Sequence, residues 1–145
     1  MSHRSATNGL PQFLGYAGLV PFIALALMVR SFGAHQEFLR NALLSYGACI
    51  VSFLGAVHWG LWLRFGGTES AATRGLVWSV IPSIAAWVVL ASGVQSALPA
   101  MAALLVCCLL VDIHFGRSGI LPKWYVSMRI LLTATGAICL LAASN

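Results

Sequence analysis

The sequence predicts an all-α integral membrane bundle of five transmembrane helices, and three observations carry that expectation. Hydrophobic residues fill 60% of the 145 positions and charged residues only 8%, against about one-quarter charged in soluble domains. The apolar residues form long continuous runs, and at about 20 residues per span five spans use roughly 100 positions, leaving only short connections. The runs also lack the roughly ten-residue alternating segments of outer-membrane strands, so a helical bundle is expected rather than a β-barrel.

The first span is expected at residues 12–29. MSHRSATNG before an apolar run resembles a signal peptide, but Phe13–Val29 exceeds the roughly 7 to 15 apolar residues of such a leader, and a retained span is expected. The second span, 41–63, begins after Arg40 and ends at Arg64 and the Gly66-Gly67 pair. The third, 75–92, carries Pro82. An uncharged turn around Gly93 to Ser96 leads to the fourth, 97–113. The fifth, 122–143, opens at Pro122, where a first-turn proline loses no helical hydrogen bond. Residues 1–145 are thus expected to form a single five-helix domain. GLVPFIAL (18–25) and SVIPSIAA (79–86) both put a proline in mid-span, a short echo that would fit a duplicated helix pair.

The net charge of +5 comes from eight lysines and arginines against three acidic residues, the basic ones placed at the ends of apolar runs. No basic cluster is interleaved with exposed aromatics, so no nucleic-acid partner is expected; the lipid bilayer is. Arg4, Arg64, Arg74, Arg117 and Lys123 fall on one side and Arg30 and Arg40 on the other. The positive-inside rule then predicts a cytoplasmic N-terminus, or one on the equivalent side of an organelle membrane, and a C-terminus outside. Cys49, Cys107, Cys108 and Cys139 all fall inside spans without C-x-x-C spacing, and no metal site is expected.

In the second span Ala48, Ser52, Ala56 and Gly60 recur every fourth residue with Gly55 beside them. Such small residues predict a helix-packing face, and His58 lies on its flank. His58 is about five residues from the span end, roughly 8 Å deep at 1.5 Å per residue. Asp112, Arg129, Ser79 and Ser83 occupy the same half of the bundle. Charged groups in a span face the interior and pair, so Asp112 is expected to pair with Arg129, with His58 and the serines as further partners. Trp59 and Trp87, also inside spans, are candidate walls of a ligand site because a buried indole N–H needs an acceptor. This cluster either fixes helix packing or lines a cavity. Trp124 and Tyr125, beside Lys123, are expected to anchor at the headgroup level.

LGYAGLVPF (14–22), YGACIVSFLGAVHWG (46–60), PSIAAW (82–87), Asp112 and LPKWYVSMRILLT (121–133) together resemble domain-of-unknown-function family 3429, the transmembrane protein 69-like family. The resemblance implies a small five-helix protein of bacterial inner membranes with mitochondrial relatives, so a mitochondrial inner membrane if the source is eukaryotic. It marks His58, Trp59, Pro82, Trp87, Trp124, Tyr125 and Arg129 as motif positions and supplies no reaction.

No H-E-x-x-H, G-x-S-x-G or phosphate-cradling loop is present, and Glu37 and Glu69 lie outside the spans, so no catalytic residues are assigned. The leading expectation is an accessory or assembly subunit of a membrane complex, with other membrane subunits as partners, or a binder of a hydrophobic ligand. The alternative is a proton or small-solute carrier using His58, Asp112 and Arg129. Haem or pigment ligation by His58 has the right ligand type but lacks a second histidine at matching depth, so no cofactor is assigned.

Overall fold

Pro21 divides the first span. Without an N–H at position 21 the Ala17 carbonyl loses its helical partner and meets the proline ring. The chain accordingly forms α1 (Gly9–Ala17) and α2 (Leu19–Ser31), separated by a turn at Gly18. The break is held from outside, because the Tyr46 hydroxyl donates to the Gly18 carbonyl at 2.8 Å and the Tyr46 ring packs edge-on against Phe22 at 5.0 Å between centroids. In this computed structural model the other elements are α3 (Gln36–Phe65), α4 (Ser70–Ala91), α5 (Ala97–Arg117) and α6 (Lys123–Ser144).

The structure describes residues 9–31, 35–65, 70–93 and 96–144. Arg4, Gly66, Gly67, Glu69 and the centre of the turn before α5 lie outside the described residues. Among the described residues there is no strand. Among the described residues five helical segments are long and apolar enough to cross a membrane, with α1 and α2 together forming the first. The chain is a multi-pass membrane protein whose outer surface contacts lipid. Several helices overrun the apolar spans, with α3 starting at Gln36 rather than 41 and α5 reaching Arg117 rather than 113. Hydropathy marks the hydrocarbon, whereas the backbone keeps its helical hydrogen bonds into the headgroup layer.

The 30-residue α3, about 45 Å long at 1.5 Å per residue, is the axis of the bundle and packs against α2, α4, α5 and α6. Its buried stripe runs Leu44, Gly47, Val51, Leu54 and His58, alternating steps of three and four. The expected packing face needs correction here. Ala48 and Gly55 are buried, but Ser52 is half-exposed and Ala56 and Gly60 are exposed. A strict every-fourth-residue ladder advances about 400° per step at 100° per residue, so it drifts around the helix. By Gly60 the ladder has rotated off the buried side.

Gly55 is a point of close approach between α3 and α4. A Cβ there would collide with the Ser79 carbonyl oxygen and come within 3.4 Å of the Pro82 ring. Pro82 is fully buried and α4 continues through it. The two mid-span prolines therefore play different parts, one breaking a helix and one packed inside it. At the far end Arg40, read from sequence as an orientation charge, donates from Nε to the Ala143 carbonyl at 2.8 Å. It satisfies a terminal acceptor of α6 and sits favourably at that helix's negative end.

Replacing Gly55 with Leu is expected to destabilise the protein by about 1–3 kcal/mol or more, the range for overpacking. Gly60→Ala, where nothing lies within 4 Å of the added carbon, is expected to leave the thermal midpoint in maltoside micelles unchanged. Equal midpoints for the two variants would refute this helix register.

Candidate functional site

Three helices contribute one ionisable group each to a common point. α3 supplies His58, α5 supplies Asp112 and α6 supplies Arg129, with side chains 1%, 1% and 3% exposed. Each occupies a regular place in its helix's buried stripe. In α5 the stripe is Leu105, Cys108, Asp112 and Phe115, and in α6 it is Arg129, Thr133, Gly136 and Leu140. Steps of three and four keep one face turned to the neighbours, so Asp112 and Arg129 are carried into the interior by the positions of the apolar residues around them.

The carboxylate of Asp112 divides its acceptors between two donors. His58 Nε2 donates to Oδ1 at 3.0 Å, and Arg129 Nε donates to Oδ2 at 2.8 Å. Because a carboxylate only accepts, Nε2 carries the imidazole proton. Phe115 packs on the imidazole at 4.8 Å between centroids, and Gly75 of α4 leaves room for Phe115 and His58 Cβ. With a neutral imidazole the carboxylate and guanidinium cancel, which is how a buried ionic group avoids the full cost of leaving water. Removing one partner strands the others.

The remaining expected members do not join this group. The Ser79 hydroxyl donates within its own helix to the Leu76 carbonyl at 2.6 Å, and Ser83 is half-buried one turn further on. Trp59 and Trp87 are 46% and 66% exposed and face the lipid side. Side chains this exposed lie on the outer surface of the bundle, so these indoles are not walls of an interior site.

Trp124 and Tyr125 do more than lie at the start of α6, because both line a pocket of about 380 Å³ between α1–α2, α3 and α6. Its walls are mostly aliphatic and aromatic, among them Leu19, Phe22, Ile50, Val57 and Leu132. Leu14 and Phe53, both highly exposed, stand at its edge, so the pocket opens sideways toward lipid. Arg129 and Thr133 also line it. Tyr125 Oη, Arg129 Nη2 and Thr133 Oγ1 are all buried without a hydrogen-bond partner among the described residues. Arg129 thus belongs to both features, its Nε spent on Asp112 and its Nη2 left over.

Sequence reasoning missed Thr133 and the pocket. The signal was present, since Tyr125, Arg129 and Thr133 are spaced i, i+4, i+8 and share one helix face. The facing wall was not readable, because it depends on the turn at Gly18 and on how α1–α2 lie against α6.

The profile of the family described as "Protein of unknown function (DUF3429)" matches residues 8–144. Transmembrane protein 69 of Xenopus tropicalis is 28% identical over 133 residues, covering 90% of this chain and 52% of that protein. The chain therefore spans about half the length of this curated relative. No solved structure matches.

Substituting Asp112 by Ala is expected to cost about 3–5 kcal/mol, the range for breaking a buried ion pair from one side. The double variant Asp112→Leu, Arg129→Met should recover part of that loss, measured as unfolding free energy in maltoside micelles. A double variant less stable than Asp112→Ala would overturn this account of the triad.

Proposed function

The chain belongs to the protein family of unknown function DUF3429, and from that premise we propose that it binds a hydrophobic molecule entering sideways from the bilayer. The observation that carries this reading is the pocket of about 380 Å³ bounded by α1–α2, α3 and α6. Binding sites for small molecules are typically about 300–1,000 Å³, mostly apolar, with a few convergent polar groups. Here the apolar walls offer burial to a hydrocarbon body, and Tyr125, Arg129 and Thr133 offer polar atoms without protein partners among the described residues. The His58–Asp112–Arg129 triad has a supporting part, since it fixes the Arg129 side chain through Nε and leaves Nη2 to the pocket. A binder of this kind can also serve as a subunit that presents its ligand to a larger membrane complex. We read the membrane as a bacterial inner membrane, or the mitochondrial one in a eukaryote, with the N-terminus on the positively charged side.

A second reading, transfer of protons, has one observation of its own. His58 Nδ1 is buried without a partner among the described residues while Nε2 is bound to Asp112, so Nδ1 is left over for a proton to be taken up or passed on. Vesicles containing the protein would then collapse a pH gradient faster than empty ones, and His58→Gln would remove the difference. Equal collapse rates would refute it.

Native mass spectrometry of the protein taken from its own membrane in mild detergent is expected to show a stoichiometric apolar adduct. Val57→Trp, which fills the half-buried wall of the pocket, is expected to lose that adduct while keeping its helical circular dichroism. A wild-type protein without any retained adduct, or a Val57→Trp variant that retains it fully, would overturn the binding reading.

A further inference from the structure

We infer that the ligand is an uncharged molecule with an apolar tail and two separated carbonyl oxygens, held by the Tyr125–Arg129–Thr133 stripe of α6. This rests on the binding reading above and narrows it to a chemistry. Arg129 Nη2 is a donor only, whereas the hydroxyls of Tyr125 and Thr133 both donate and accept. An acceptor oxygen is therefore the one group that satisfies any of the three. Arg129 and Thr133 are 3% and 2% exposed, and Arg129 Nη2, Thr133 Oγ1 and Tyr125 Oη lack protein partners among the described residues. Buried polar groups in hydrocarbon have no bulk water to turn to.

Charge argues against an anionic head. The positive charge of Arg129 is already matched by Asp112 at 2.8 Å, so a carboxylate or phosphate in the pocket would bring an unmatched negative charge close to Asp112. Like charges repel strongly where the dielectric is low. A neutral oxygen takes the Nη2 hydrogen bond without that conflict.

Spacing argues for more than one oxygen. Residues four apart on α6 lie about 6 Å apart along the axis, so the stripe from Tyr125 to Thr133 extends about 12 Å. A single hydroxyl or carbonyl cannot reach all three groups. Two carbonyl oxygens separated by a ring or by a glycerol backbone can engage successive members of the stripe. A membrane offers this chemistry from two sources, a long-tailed quinone and a glycerol diester. The tail leaves past Leu14 and Phe53, which stand at the lipid edge of the pocket.

The test is calorimetric titration of the full chain in maltoside micelles with four probes: a decyl-substituted benzoquinone, dioctanoylglycerol, decylbenzene and decanoate. At least one of the two carbonyl probes is expected to bind about tenfold or more tightly than decylbenzene or decanoate, as one or two net hydrogen bonds imply. The tighter of the two identifies the source. Tyr125→Phe combined with Thr133→Val keeps the shape of the pocket, and it is expected to weaken the carbonyl probe while leaving decylbenzene unchanged. Decylbenzene binding as tightly as both carbonyl probes, with Val57→Trp abolishing it, would overturn the carbonyl inference and leave the pocket reading standing. Tightest binding by decanoate would overturn it as well. Absence of any binding sensitive to Val57→Trp would overturn both readings together.

Discussion

The architecture depends on a carboxylate that cannot face lipid. Asp112 is 1% exposed in a helix long and apolar enough to span a bilayer, and an ionised group there must be paired. Its two oxygens take one donor each, from α3 and from α6. That requirement fixes where three helices meet and at what depth. At the other end Arg40 of α3 reaches the last turn of α6 through the Ala143 carbonyl. Positions 40 and 58 are about 27 Å apart along α3, and 129 and 143 about 21 Å apart along α6. The two helices are thus tied antiparallel near both ends, by polar contacts that tolerate no sliding.

Between those ties the packing is of another kind. α3 and α4 meet through Gly55 against the Ser79 backbone and the Pro82 ring, where close van der Waals contact takes the place of a hydrophobic driving force absent in lipid. On the opposite side α1–α2 does not lie flush. Its turn at Gly18, held by the Tyr46 hydroxyl, leaves the space that α3 and α6 complete as a pocket. The same proline that costs α1–α2 a helical hydrogen bond therefore helps shape this pocket.

Arg129 connects the two regions. A lysine could neutralise Asp112, but a guanidinium has several donors in a fixed fork, so one edge can bind the carboxylate while another remains for the pocket. The polar group is structural toward α5 and available toward α1–α2. The choice between a packed knot and a cavity, open in the sequence, divides within one side chain.

Much of this was legible from residue order because the bilayer is a severe solvent. Long apolar runs force helices, and the spacing of His58, Asp112 and Arg129 relative to span ends put them at a common depth. The family motif in residues 46–60 and 121–133 marked two of the three helices that carry them. What misled was the ladder Ala48, Ser52, Ala56 and Gly60, because spacing by four tracks a face only over a turn or two before the 3.6-residue period carries it away. Trp59 and Trp87 misled for a related reason, since an aromatic in a span is equally at home against lipid and against protein. The sequence by itself determined the membrane class, the helices and the charged residues that had to pair, since transfer into hydrocarbon penalises every unpaired polar group whatever its neighbours. Only the tertiary structure decided which face of each helix is buried and that Tyr125, Arg129 and Thr133 border a pocket. Those outcomes depend on rotation and approach between helices, set by contacts far apart in the chain.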